Sequence, residues 1–275
     1  MGLKVRTVVD TPIKEERMNK KVIYTCLVGN YDVLRQPSVV DETFDYICFS
    51  NDIKEDRVGV WQIRPIPFEH KDNARLSRYV KLMPHKALED YEWSLWMDAN
   101  IQITGKELYS IVDDKIAEGN KIYQVTHCLP PCDCIYEEIK TAYLCGRSGF
   151  CKTFRQYWHL KRDGFPTHWG LFENNFILRK HLDPKVRIIS EEWWAEFMKY
   201  TKRDQFNLMY VYWKNNLMPG LFLPPDRNTR NVDFLKWRQH TTQQEFSLGY
   251  RIKYHIRKYT RIFMVNIFEV LDLIK

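Results

Sequence analysis

Trp93-Ser94-Leu95-Trp96-Met97-Asp98-Ala99-Asn100 is the stretch that decides how this chain folds. Its first five residues make a buried strand. That strand runs straight into two oxygen-bearing side chains, Asp98 and Asn100, separated by one residue. Both therefore stand at the strand's carboxyl end, where open α/β sheets bind their ligands. A carboxylate beside a second hard oxygen donor suits Mg2+ or Mn2+, which one or two protein ligands hold together with a substrate's phosphates. The same residues also suit a plain strand end, where Asp and Asn favour turns.

Upstream, residues 73–88 carry helical spacing, with Arg75, Arg78 and Lys81 at three-residue intervals. Cations there could meet a diphosphate, with Arg offering two-pronged contacts; a solvated basic face is the plainer reading of any one of them. Further strands are expected at 21–29, ending in Gly29, at 44–50, and at 61–68, where two prolines point to a sheet edge. Downstream come Ile101–Ile103, a helix at 107–118 closed by Gly119, and a strand at 121–126. Helices are expected at 136–144 and 150–161, a strand at 171–179, and a long helical region at 191–215 interrupted near Lys202-Arg203-Asp204. Strands alternating with helices predict an α/β fold, with a mostly parallel central sheet flanked by helices.

Composition agrees with a single packed domain. The chain has 275 residues, 44% of them hydrophobic, and carries nine Trp, sixteen Tyr and fifteen Phe. Its formal charge of +7 favours an anionic partner such as a nucleotide or a phospholipid surface. No zinc finger, RNA-recognition signature or dense basic stripe points to nucleic acid. Seven cysteines and a polar N-terminus without an apolar export segment fit reduced thiols in a cytoplasm. His127, Cys128, Cys132 and Cys134 are spaced too tightly for the paired knuckles of structural zinc. Residues 1–20 read as a loose leader, 21–240 as the folded domain and 241–275 as a tail.

Arg203-Asp204-Gln205 is the remaining polar cluster of note. Asp204 reads either as a helix cap or as a carboxylate that orients or deprotonates a hydroxyl, and spacing does not choose between them.

A set of ordered marks runs from about Val22 to Trp213. They are Gly29-Asn-Tyr-Asp32, Ile47-Cys-Phe-Ser50, Ala74-Arg-Leu-Ser-Arg-Tyr-Val-Lys81 with His85, and Trp96-Met-Asp-Ala-Asn100, followed by His127, Cys134-Ile-Tyr-Glu-Glu138, Glu173, Arg179-Lys-His181, Trp193-Trp194 and Arg203-Asp-Gln205. In these the chain resembles the TOD1/MUCI70 glycosyltransferase-like domain family (DUF616). The resemblance implies a GT-A-like fold in which the strand-end motif stands in for Asp-x-Asp. It implies that Asp98 and Asn100 bind Mn2+ or Mg2+, although Asn100 stands where a second carboxylate would be more usual. Gly29, Tyr31 and Asp52 would line a nucleotide pocket, and Arg75, Arg78 and Lys81 would face the donor. Asp204 would be the carboxylate near the acceptor, with Glu173 and Glu138 behind it. The implied reaction moves a sugar from a nucleotide-sugar donor to a glycan or lipid-linked glycan acceptor, in bacterial surface polysaccharide synthesis. A nucleotidyltransferase or a silent glycan-binding scaffold are the competing readings.

In the tail, Ile252, Ile256, Tyr259, Ile262, Phe263, Ile267, Val270, Leu271 and Ile274 recur at helical spacing among Arg251, Lys253, Arg257, Lys258 and Arg261. Such a basic amphipathic helix either lies in an anionic membrane interface, which would place the chain at the inner face of a membrane, or packs on the protein's own core or on a second subunit.

Overall fold

The computed structural model describes residues 20–29, 32–127, 132–239, 259–268 and 270. Eight strands form the central sheet in the order β3-β4-β2-β1-β5-β8-β7-β9. They are β1 (Lys21–Cys26), β2 (Phe44–Phe49), β3 (Arg57–Val58), β4 (Trp61–Arg64), β5 (Trp93–Met97), β7 (Ile122–Thr126), β8 (Phe172–Arg179) and β9 (Gly220–Leu221). β4, β2, β1 and β5 run parallel. β8 is antiparallel to both its neighbours, β5 and β7. A separate antiparallel ribbon joins β6 (Ile101–Ile103) to β10 (Leu235–Trp237).

Strand alternation divides the apolar residues between two cores. Val22, Tyr24, Ile47, Phe49 and Trp96 face one side, under α1 (Asn73–Leu82), α4 (Ile135–Leu144), α5 (Phe150–Arg162), α6 (Pro184–Lys199) and α7 (Leu208–Lys214). Ile23, Tyr46, Cys48, Leu95 and Met97 face the other, under α3 (Glu107–Glu118), which contributes Leu108, Tyr109 and Val112.

Local chemistry sets the boundaries. Asp72 caps α1 by accepting from the Arg75 amide at 3.1 Å. Asp183 caps α6, with Pro184 in its first turn. Gly119 closes α3 in the left-handed conformation, φ 87°. The helix expected over 73–88 is broken by Pro84, which starts the short α2 (Pro84–Ala87). The long helix expected at 191–215 starts earlier, at Pro184. It divides into α6, a 3-10 turn at Asp204–Phe206 and α7. β4 is second from the edge and not at it, because the two-residue β3 pairs outside it.

In the tail, residues 259–268 form a helix, α8; the expected helical positions 250–258 lie outside the described residues. Phe268 is fully buried against Tyr143, Phe150, Phe154 and Tyr157 of α4 and α5. Val265 is buried beside it. The opposite face shows Tyr259, Ile262, Phe263, Ile267 and Val270 to solvent. The leader expected at 1–20 lies outside the described residues except Lys20.

Candidate active site

β1 and β5 are parallel and in register, Tyr24 against Trp96, so the loop through Gly29 and the Asp98 turn leave the sheet at one edge. Gly29 takes φ 71° and donates its amide to Asp52 Oδ2 at 2.6 Å. A Cβ there would lie 2.5 Å from the Asn73 side chain at the start of α1. The structure thus brings Gly29, Asp52 and the α1 N-terminus together. Tyr31 lies outside the described residues.

Trp96, in β5, and Asp98, one residue past its end, point to the same side. The Trp96 indole N–H donates to Asp98 Oδ1 at 2.9 Å. The Lys81 ammonium reaches the same Oδ1 at 3.5 Å and lies 5.4 Å from the Trp96 ring centroid. Its stronger contact is with Asp204 Oδ2, at 2.5 Å. Arg78 Nε approaches Asp204 Oδ1 at 3.5 Å. Lys81 is only 2% exposed, and a buried ammonium is stable only when paired. Arg179 of β8 fastens this arrangement from below, donating to the Lys81 carbonyl at 2.6 Å and to the Tyr24 hydroxyl at 2.7 Å.

Asp204 arrives on the 3-10 turn between α6 and α7. The Trp193 indole N–H holds its carbonyl at 3.0 Å. Its side chain makes no cap bond and turns into the charge cluster. Burial opposes its ionisation, but Lys81, Arg78 and Arg203 outweigh burial and hold the carboxyl well below the usual carboxylate range. Beyond Arg203, Glu138 in the first turn of α4 stands 4.0 Å from both Arg203 and His127. The buried Nε of Arg203 makes no hydrogen bond, and that of Arg78 has only the 3.5 Å approach to Asp204.

The remaining expected residues are placed differently. Arg75 turns away from the cluster and donates to the Met198 carbonyl at 2.9 Å, binding α1 to the C-terminal end of α6. Glu173 is buried and belongs to a second cluster. It accepts from Asn175 Nδ2 at 2.7 Å and from Thr229 at 3.5 Å, and pairs with Arg230. Trp237 stacks on the Arg230 guanidinium, 3.8 Å from centroid to Cζ. This second cluster adjoins the first through β8. There the register shifts, with Gln124 pairing with Ile177 while Val125 pairs with Glu173. On its other side β8 continues the β5 ladder, and the Asn175 carbonyl accepts from the Asp98 amide at 2.9 Å. Asn100 is buried, and its carbonyl accepts from the Arg238 amide at 2.8 Å, tying the motif to β10. Nothing in the strand and helix spacing marks Arg230, Trp237 or Arg238, which reach the site only through tertiary structure.

A divalent cation at the strand end would find two carboxylates, Asp98 and Asp204, both already engaged by the Lys81 ammonium. Asn100, beside Asp98, is neutral. Among the described residues no group of three or more His, Cys, Asp or Glu side chains is arranged to hold a metal, and the thiols of Cys132 and Cys134 are free. The donor set does not fit a divalent ion in this arrangement. A cavity of about 500 Å3 lined by Asp163, Tyr210, Trp213, Lys214 and Asn216 opens elsewhere, on the helical layer; it contains none of the charged residues of the cluster.

The TOD1/MUCI70, glycosyltransferase-like domain family matches residues 7–240, and the chain belongs to that family. A curated relative, "Probable hexosyltransferase MUCI70" of Arabidopsis thaliana, is 22% identical over 202 residues, which are 69% of this chain and 34% of the relative. The chain thus spans about a third of that relative's length. Solved structures of similar shape include the WbbM bifunctional glycosyltransferase, with TM-score 0.43, 9% identity and coverage of 88% of this chain and 45% of that one. Mouse xyloside xylosyltransferase 1 gives TM-score 0.43 at 8% identity, covering 74% of this chain and 84% of that one. The galactosyltransferase LgtC, in complex with donor and acceptor sugar analogues, gives 0.42 at 11%, covering 73% and 72%.

Proposed function

We propose that the chain transfers a sugar from a nucleotide-sugar donor to an acceptor hydroxyl, using a GT-A-type site at the carboxyl ends of β1 and β5. The observation that carries this reading is the buried Lys81 ammonium between Asp98 and Asp204, with Arg78 and Arg203 beside it. Bond breaking at the anomeric carbon sends an electron pair and negative charge onto the departing diphosphate, and preformed cations stabilise charge where it develops. Gly29 and Asp52 stand on the nucleotide side of this edge.

The acceptor oxygen forms the new bond to the anomeric carbon as the sugar–phosphate bond breaks. The hydroxyl proton passes to a carboxylate. Asp204 is a poor proton acceptor, since two cations hold it ionised. Glu173 is engaged by Asn175, Thr229 and Arg230. Glu138, whose carboxylate among the described residues meets only Arg203 and His127, each at 4.0 Å, is the one we assign to this step.

The acceptor we assign is a lipid-linked glycan at the inner face of a membrane. Supporting this is α8, whose outer face is apolar where a solvated helix would be polar, and the Arg251, Lys253, Arg257 and Lys258 run before it in sequence.

The test is incubation of the full chain with UDP-, GDP-, CMP- and dTDP-sugars and a lipid-linked glycan acceptor, and detection of the released nucleotide together with the glycosylated acceptor. Release of the free nucleotide, lost in Asp98→Ala, supports the reading. Pyrophosphate release from a sugar phosphate and a nucleoside triphosphate would make it a nucleotidyltransferase. No turnover and no thermal shift with any donor would leave a silent scaffold.

A further inference from the structure

The position that a divalent cation would need is already held by a cation of the chain itself. Two carboxylates reach the strand end, Asp98 from β5 and Asp204 from the turn after α6. A metal ion bridging them would stand between them, and Lys81 Nζ does so, at 3.5 Å from one and 2.5 Å from the other. The third oxygen donor, Asn100, brings no charge. The ammonium is fixed from several directions: Arg179 holds the Lys81 backbone, Trp96 lies alongside the ammonium, and burial excludes water. A divalent ion added here would have to displace it or share two carboxylates with it against direct repulsion. Meanwhile Arg203 Nε is a buried N–H donor without an acceptor, and Arg78 Nε meets only Asp204, at 3.5 Å. Such donors are rare without a purpose, and phosphate oxygens would satisfy them in Arg's two-pronged geometry.

We infer that this site binds the nucleoside diphosphate without a divalent metal, with Lys81 as the built-in cation and the Arg78 and Arg203 guanidiniums as the phosphate donors. Asp98 and Asp204 are then positioning residues that hold Lys81 in place. This rests on the glycosyl-transfer reading above. The group-transfer step is unchanged: the diphosphate leaves with the electron pair of the sugar–phosphate bond, and the guanidiniums take up its charge in hydrogen bonds.

The test is titration of the full-length chain with UDP and with GDP, by calorimetry, in EDTA and in excess Mn2+. The expected result is that at least one nucleotide binds with affinities in the two conditions within about twofold of each other. Arg203→Gln, at a partly exposed position, should weaken that binding about tenfold, the scale of one charge-assisted pair. Lys81→Met should weaken it at least as much, with Lys81→Arg restoring part of it; circular dichroism establishes that each variant is folded. Binding at least tenfold tighter with Mn2+, with that gain lost in Asp98→Ala, would overturn the inference and leave the glycosyltransferase intact. No binding of either nucleotide in both conditions, by a folded protein, would sink the donor site itself and the inference with it.

Discussion

Lys81, Asp98 and Asp204 show how far a single residue's role depends on its neighbours. Asp98 was legible in the sequence because a strand end is a local feature. Arg75, Arg78 and Lys81 read alike as one basic helix face, of which only Arg78 and Lys81 enter the cluster. The link to Asp204 was not legible, because periodicity within one element says nothing about which distant turn will face it. Arg75 shares the spacing of Arg78 and Lys81 but points to α6, since positions three apart on a helix still rotate progressively around its axis.

His181 gives a prediction at this scale. Burial pushes its imidazole down to about 4, while its Nε2 meets the Leu88 carbonyl at 2.8 Å. Its folded value lies below that of an unfolded His near 6.5, so the unfolded chain binds the extra proton. Stability is therefore full above about pH 6.5 and falls as pH drops towards 4. Between pH 7 and 5 the loss from this one group should be about 2 kcal/mol. Urea unfolding at the two pH values checks this, and His181→Gln should flatten the difference. Gly29→Ala, at φ 71°, should cost about 1–2 kcal/mol from the left-handed conformation alone. It should also weaken nucleotide binding, because the Gly29 amide that orders Asp52 would shift; thermal denaturation and a nucleotide titration separate the two effects.

At the scale of elements, the parallel half of the sheet followed from buried apolar runs ended by Gly29 and Asp98. The antiparallel β8 did not, since an apolar strand carries no mark of its direction. The two-residue β3 and β9 and the β6–β10 ribbon are too short to show a period. The tail was legible as a helix but not as a helix with two apolar faces. One face, through Val265 and Phe268, closes the aromatic core between α4 and α5. Phe268→Ala should therefore destabilise the fold by about 3 kcal/mol, the usual cost of emptying an aromatic core position. Denaturant midpoints would show this, with faster proteolysis near α8. An unchanged midpoint would mean that α8 contributes nothing to the core.

For the whole molecule, the outer face of α8 predicts association with lipid. Phe263 is 71% exposed. The full chain should float with vesicles containing anionic phospholipid and not with neutral ones. Raising the salt to about 0.5 M should release it, because screening at that strength shortens the reach of the basic run. Phe263→Asp should abolish flotation while nucleotide binding stays intact. Flotation with neutral vesicles as strong as with anionic ones would remove the charge component from the proposal.

The buried Lys81 also bears on how the chain comes to exist on the ribosome. A nascent chain that has emerged only through β5 already owns the parallel strands and α1, but Asp204 and the Arg179 that grips the Lys81 carbonyl are still to be made. Closing the core over an ammonium with half its counter-charge is unfavourable, so the early strands should stay open to solvent exchange until β8 and the turn after α6 arrive. The same ion pair that would serve the chemistry thus ties the two halves into one cooperative unit. Pulsed hydrogen exchange on stalled chains should show the amides of β1 and β5 gaining protection together with those of β8, in a single late step.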